Sequence, residues 1–248
     1  MTTLRSIWER ALDLLYPSVC VGCGVMLRRG SNICPSCWHE LPRVSPPFCR
    51  RCSEGFDGNI AGGFECQQCR DTSYDFAFAR STLLNHPQTR SLIHDFKYRR
   101  AVHLARDIAS LMAETFEHDQ RLQLAREQGW VLVPVPLHHR RQSQRHYNQC
   151  EEIARHLAPM LGLRLCLALK RVRATPTQTR LSRQQRLRNL TGSMRLTRRG
   201  SIQLARGAVA GWILVDDVYT TGSTVQECAK VLRRAGAENI VVVTALRG

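Results

Sequence analysis

The stretch Gly211-Trp-Ile-Leu-Val-Asp216-Asp217-Val-Tyr-Thr220-Thr-Gly222-Ser-Thr224 decides the fold. Trp212–Val215 reads as a buried strand, two carboxylates stand at its carboxyl end, and a short loop of hydroxyls around one glycine follows. After the loop, Val225, Ala229 and Leu232 recur at helical spacing up to Gly236, and Ile240–Val243 supplies another apolar run. A strand, a loop, a helix and a second strand in that order form the unit of a parallel sheet. In such a sheet, ligands bind beyond the carboxyl ends of the strands, and the helix start offers unpaired N–H groups to an anion. Gly222 permits close backbone approach, while Thr220, Thr221, Ser223 and Thr224 add hydroxyl donors. The loop has no Gly-Lys-Thr and no lysine, which disfavours nucleoside triphosphatase chemistry. Two adjacent carboxylates have no packing reason to lie at a strand end, and vicinal hydroxyls on a ligand would need such paired acceptors.

Working outward, the same alternation extends back to Phe76. Phe76–Thr82 reads as strand, Leu104, Ile108, Leu111, Met112 and Thr115 as the apolar stripe of a helix, and Val131–Val135 as a short strand before proline. Ile153, Ala154, Leu157 and Leu161 mark another helix, and Leu163–Leu169 has the composition of a strand. The expected class is α/β with a mostly parallel central sheet. From Lys170 to Arg206 there are eleven basic residues and no acidic one, within a chain of 36 Lys+Arg against 20 Asp+Glu, net +16. A clustered like-sign field of this kind attracts phosphates, whether of a nucleic acid or of a small ligand.

Before Phe76 the character changes. Eight of the 11 cysteines fall into four C-x-x-C pairs: Cys20/Cys23, Cys34/Cys37, Cys49/Cys52 and Cys66/Cys69. Two thiolates three residues apart reach one tetrahedral Zn²⁺, and two such knuckles complete a closed four-cysteine site, so eight ligands predict two structural zinc ions. The gaps of 10, 11 and 13 residues between pairs leave open whether the pairs close consecutively or interleave; consecutive closure is the simpler arrangement. The segment has too few large apolar residues for a core of its own, so metal would supply its folding free energy. Cys150, Cys166 and Cys228 lie in apolar-periodic segments and read as buried small hydrophobes without chemistry. The expected division is 1–72, an N-terminal helix near Leu4–Leu15 plus a double zinc ribbon, and 73–248, the α/β domain. The first helix carries Arg5, Glu9, Arg10 and Asp13, which the apolar core of a signal peptide excludes, and no run approaches the roughly 18 apolar residues of a membrane span; the expected location is the cytoplasm.

Ile213–Thr224 resembles throughout the 5-phosphoribosyl-1-pyrophosphate (PRPP) motif of type I phosphoribosyltransferases. The resemblance implies that Asp216 and Asp217 hold the ribose 2′- and 3′-hydroxyls, that Thr220, Thr221, Gly222, Ser223 and Thr224 wrap the 5′-phosphate, and that Mg²⁺ accompanies PRPP. Nearly all of the chain is similar to the ComF family of competence proteins, which join a zinc ribbon to a phosphoribosyltransferase-like domain. Further marks are Phe96-Lys97-Tyr98, Val133-Pro134-Val135-Pro136 with Arg140 and Arg145, Tyr147-Asn148-Gln149, and Arg171, Thr175, Gln178, Leu181, Arg183, Arg186, Asn189 and Gly192. They imply a pyrophosphate-gripping loop from Pro136 to Arg145, an orienting Asn148, and a basic hood over Arg171–Arg188 that closes on the site. Tyr147-Asn148-Gln149 also reads as an ordinary helix start, and Lys97 and His94 as a solvated helix face. Where the family often has glycine before Tyr147, this chain has His146. The resemblance implies a role in natural transformation or in the use of external DNA, alongside a helicase or recombination mediator. Three readings of the chemistry stand: a phosphoribosyltransferase, a PRPP or nucleotide sensor without turnover, and a single-stranded-DNA-binding competence factor.

Overall fold

The computed structural model describes residues 18–27, 30–56, 58, 63–138, 146–173, 190–207 and 209–248. The expected helix at Leu4–Leu15, Arg140, Arg145 and most of the basic hood, with Arg183, lie outside the described residues. Among the described residues, no helix is long and apolar enough to cross a membrane.

Five strands form one all-parallel sheet: β3 (Ala79–Leu83), β4 (Val131–Pro134), β5 (Arg164–Leu165), β8 (Trp212–Tyr219) and β9 (Ile240–Arg247), in the order β3-β9-β8-β4-β5. The continuous apolar runs follow from burial on both faces. Leu132, Ile213, Val215, Val241 and Val243 belong to the core on one face, and Val131, Val133, Trp212, Leu214, Ile240 and Val242 to the core on the other. The first face is covered by α3 (Pro87–Tyr98), α4 (Leu104–His118), α5 (Gln120–Glu127) and α6 (Gln149–Leu161). The expected stripe on α4 is buried at Leu104, Ile108, Leu111 and Met112. The second face is covered by α8 (Ser223–Arg234) and the antiparallel hairpin of β6 (Leu169–Arg171) and β7 (Met194–Leu196), from which α7 (Arg198–Ala205) continues.

Several strand expectations shift. The strand expected at Phe76–Thr82 is β3, and it starts later, at Ala79. Leu163–Leu169 is not one strand: β5 pairs with β4, whereas β6 leaves the main sheet for the hairpin. Trp212–Val215 lengthens to Tyr219, because β8 keeps pairing with β9 through Tyr219↔Arg247 after β4 has ended at Pro134↔Val215.

The cysteine-rich segment contains the hairpin β1 (Ser18–Val19) and β2 (Met26–Leu27) and the short helices α1 (Pro35–Glu40) and α2 (Gln67–Arg70). Among the described residues it has no private core, as expected, and its buried side chains share those of the sheet. Cys20, Ile33, Cys34 and Leu41 join the first-face core, and Cys49, Cys52 and Cys69 join the second. Between the two halves, residues 42–44 run along β3, with Val44 N–H donating to the Thr82 carbonyl and Leu84 N–H to that of Pro42, both within 2.9 Å. This segment seals an edge that would otherwise offer unpaired backbone groups.

Candidate phosphate and metal sites

The sulfurs of Cys20, Cys23, Cys34 and Cys37 lie within 4.8 Å of one another, as do those of Cys49, Cys52, Cys66 and Cys69. The pairs therefore close consecutively. Cys23 and Cys34 Sγ are 3.7 Å apart and Cys52 and Cys66 Sγ 3.6 Å, close to the edge of about 3.8 Å of a tetrahedron with metal–sulfur bonds of about 2.3 Å. Backbone N–H groups of Gly22 and Cys34 point at Cys20 Sγ, and that of Cys66 at Cys49 Sγ, at 3.3–3.4 Å. Such donors stabilise thiolates. Both clusters fit a structural zinc ion with no open coordination position.

The second site lies where β8 outruns β4. Asp216 and Asp217 are half-buried residues of the strand's last half, not of a loop after it. Lys97 of α3 reaches across and pairs with Asp217, Nζ to Oδ1 2.9 Å. The sequence left Lys97 between a site role and a solvated face, and the structure brings it to the carboxylates. The Tyr147 hydroxyl fixes this end of α3 by donating to the Phe96 carbonyl. His94, in contrast, is largely exposed and lies tilted against Tyr98, 4.9 Å between ring centroids. Burial pulls the Lys97 ammonium down, but the charges of Asp217 and Asp216 outweigh it and hold the group above its ordinary value.

Cys150 corrects another expectation. It is buried, as predicted, but it is not inert packing: its Sγ lies 3.2 Å from Asp216 Oδ1, to which it donates. Burial first, and then the neighbouring charge of Asp217, push Asp216 up from 3.8 to about 7, against the opposing pull of Cys150 and Lys97. Burial and the two aspartates push the Cys150 thiol well up. Cys228 of α8 is fully buried, raised by burial and then by the charge of Asp216. No sequence pattern distinguishes Cys150 from the other two thiols; its placement follows from Asn148. That side chain caps α6, accepting from Cys150 N–H at 3.2 Å, while its amide donates to the Val135 carbonyl at 3.2 Å, which ties the helix start to the end of β4 beside buried Pro136. His146, where the resembled family often has glycine, adopts φ +68°, so the backbone keeps the left-handed turn that glycine favours.

Gly222 precedes α8 with φ +73°, and no side chain caps the helix. The first N–H groups of α8 have no acceptor within the helix. Thr221 and Ser223 hydroxyls lie 2.8 Å apart beside them. The segment Thr220–Thr224, the loop and the first two residues of α8, thus carries N–H and O–H donors a few residues after the two carboxylates of β8. Arg171 stands on β6, near enough to α8 to lower the Cys228 thiol by its charge. At the opposite sheet edge, a cavity of about 200 Å³ is lined by Arg43, Arg80, Glu114 and Asp119. Its charges already pair as Arg80–Asp119, 2.5 Å, and Arg43–Glu114, 2.8 Å.

A model of the double zinc ribbon domain matches residues 11–70. The chain is 40% identical to competence protein F of Haemophilus influenzae over 114 residues, 45% of this chain and 48% of that protein. It is 30% identical to the DNA utilization protein YhgH of Salmonella typhimurium over 239 residues, 93% of this chain and 91% of that one. To YhgH of Escherichia coli K12 it is 31% identical over 236 residues, 92% and 96% of the two chains. Similarity at that level along nearly the full length of both partners places the chain in the ComF family, that of competence protein F and the DNA utilization proteins.

Proposed function

We propose that the chain binds PRPP at the carboxyl end of the sheet and serves the uptake and use of DNA. The observation that carries the reading is the juxtaposition on β8 and α8: two half-buried carboxylates lead directly into an uncapped helix start opened by a glycine of positive φ. The carboxylates accept hydrogen bonds from vicinal ribose hydroxyls, and the N–H and hydroxyl donors of Thr220–Thr224 converge on a phosphate dianion. Mg²⁺ arriving with PRPP would neutralise the diphosphate and polarise the anomeric bond; Asp216 and Asp217 have the donor chemistry to face it. Lys97 neutralises Asp217 before ligand arrives, so the loop's donors and the carboxylates coexist in one half-buried site. Release of pyrophosphate separates a transferase from a sensor.

The DNA side of the reading is supported by the names of the relatives and by one surface. Lys170, Arg195, Arg198, Arg199 and Arg206 are all exposed on the β6–β7 hairpin, on α7 and at its C-cap. They suit a single-stranded polyanion. Calorimetric titration of the zinc-loaded chain with PRPP and Mg²⁺ tests the main reading. Micromolar binding that Asp216→Asn/Asp217→Asn loses is the expected result; equal binding by both proteins, or by neither, overturns it.

A further inference from the structure

Arg247 is a buried arginine, 6% exposed, on the last strand of the sheet. Its guanidinium is committed to the backbone that enters the phosphate loop: Nη1 donates to the carbonyls of Tyr219 at 3.0 Å and of Thr220 at 3.1 Å. Nη2 pairs with Glu54, two residues past the last cysteine of the Cys49/Cys52 knuckle. The guanidinium also lies over the Tyr219 ring, 5.2 Å from its centroid, and beside Cys52 itself. One side chain therefore joins the acidic residue just beyond the knuckle to the last carbonyl of β8 and the first of the loop, within the field of a metal-ligating cysteine.

The knuckle is a firm base for such a lever. Ser53 is fully buried at φ +60°; its hydroxyl donates to the Ala79 carbonyl at 3.0 Å and accepts from Ser81 N–H at 3.3 Å, while Ala79 N–H donates to the Arg51 carbonyl at 2.7 Å. On the loop side, Tyr219 is buried against Phe76 and fills the space under Gly222, where an added Cβ would lie 2.4 Å from its hydroxyl oxygen. A four-thiolate zinc site carries about −2, so the loaded cluster supplies counter-charge to a guanidinium that burial would otherwise penalise. Among the described residues, the other cluster has no such route. Its ribbon bonds to α4, through Asn32–Asp107 at 2.7 Å and Trp38–Glu114 at 2.9 Å. Among the described residues, no hydrogen bond or ion pair joins residues 18–37 to residues 216–224.

We propose that Arg247 is a positioning residue that transmits the metal occupancy of the Cys49–Cys69 cluster to the loop at 220–224, so that phosphate binding depends on that cluster and not on the Cys20–Cys37 cluster. The phosphate part rests on the PRPP reading above; the coupling does not. The test is amide hydrogen exchange at 220–225 in the full chain, run with zinc counts by native mass spectrometry and with PRPP–Mg²⁺ titration. Cys66→Ser is expected to speed exchange at these amides at least tenfold, and Cys23→Ser to leave them unchanged. Glu54→Gln, at a half-exposed position, and Arg247→Lys are expected to do the same as Cys66→Ser, with both zinc ions retained and PRPP bound at least tenfold more weakly. Asp107→Asn, which loosens the other ribbon, leaves exchange and binding as they are. Unchanged exchange in Glu54→Gln and Arg247→Lys, equal effects of the Cys23 and Cys66 variants, or loss of zinc from Glu54→Gln would each overturn the proposal. If the unaltered chain binds no PRPP, the site reading fails while the exchange data still decide the coupling.

Discussion

Gly222→Ala probes the phosphate loop directly. The residue lies at φ +73°, and an alanine there costs about 1–2 kcal/mol for the left-handed conformation. Its Cβ would also sit 2.4 Å from the Tyr219 hydroxyl oxygen, where ordinary van der Waals approach starts at 3.4 Å, so something must move by 1.0 Å (3.4 − 2.4). Tyr219 is 1% exposed, set edge-on to Phe76 and covered by Arg247; the loop yields first. A displacement of about 1 Å takes a hydrogen bond of about 2.9 Å beyond bonding range. Removing one hydrogen bond to a charged phosphate costs about 1.5–3 kcal/mol, or roughly a 10- to 150-fold loss of affinity. The strain alone lowers Tm by about 2–8 °C in a chain of this size. Gly236→Ala is the matched control, since Gly236 has φ +97° but no atom within 4 Å of an added Cβ. Thermal unfolding followed by circular dichroism, and PRPP titration below the transition, are expected to show both variants destabilised and only Gly222→Ala impaired in binding. Equal PRPP affinity for Gly222→Ala and the unaltered chain would refute the placement of phosphate on this loop.

Two further predictions concern charge. The Asp216 carboxyl, raised from 3.8 to about 7, binds its proton more tightly folded than unfolded, so its contribution to stability is fully present below about pH 4 and is lost as pH rises through 7. Denaturant titrations between pH 4 and 8 are expected to show stability falling across this window relative to Asp216→Asn; a constant difference between the two proteins would contradict the burial of the carboxylate. For the basic face, replacing Arg195, Arg198 and Arg199 by glutamine is expected to weaken single-stranded DNA binding alike for all sequences and to flatten the slope of log affinity against log salt by about 0.7 for each phosphate no longer neutralised. An unchanged slope would remove these residues from the DNA surface.

The sheet and the loop were legible because both are local. Val131–Val135, Trp212–Val215 and Ile240–Val243 are apolar on both faces, which marks central parallel strands, and the hydroxyl-glycine loop is contiguous. Strand ends were less legible, since β8 ends where β9 stops pairing with it and not where its apolar run stops. The cysteine spacing announced two metal sites but not which pairs close together, because either pairing satisfies the ligand count. Lys97 and Cys150 lay beyond the sequence for a different reason. Asp217 stands on a strand far along the chain from Lys97, and Cys150 meets Asp216 across 66 residues, so both interactions depend on how α3 and α6 dock on the sheet. Asn148 fits the helix-start reading: its side-chain oxygen caps α6, and that cap aims Cys150 at the site.

The division of the ribbons between the two faces gives metal a part in holding the α/β core itself. Cys20 and Cys34 pack with Phe78, Leu83 and Leu92 on one face, and Cys49, Cys52 and Cys69 with Tyr74, Phe76 and Tyr219 on the other. Between these anchors, residues 42–44 cover β3, with Arg43 bridged to Leu83 and held at its tip by Glu114. The strand they cover is the outermost on its side of the sheet, and all five of its residues are buried. Without zinc each cluster loses the ion that fixes its knuckles, and the segment loses its restraint on both sides at once. The first consequence is an open β3 edge with unpaired backbone groups, a surface that recruits other strands. Metal loss in this architecture is therefore expected to reach the sheet as well as the helix that the first ribbon bonds, and the ribbons serve as a clasp closing the β3 edge, opposite the β5 edge.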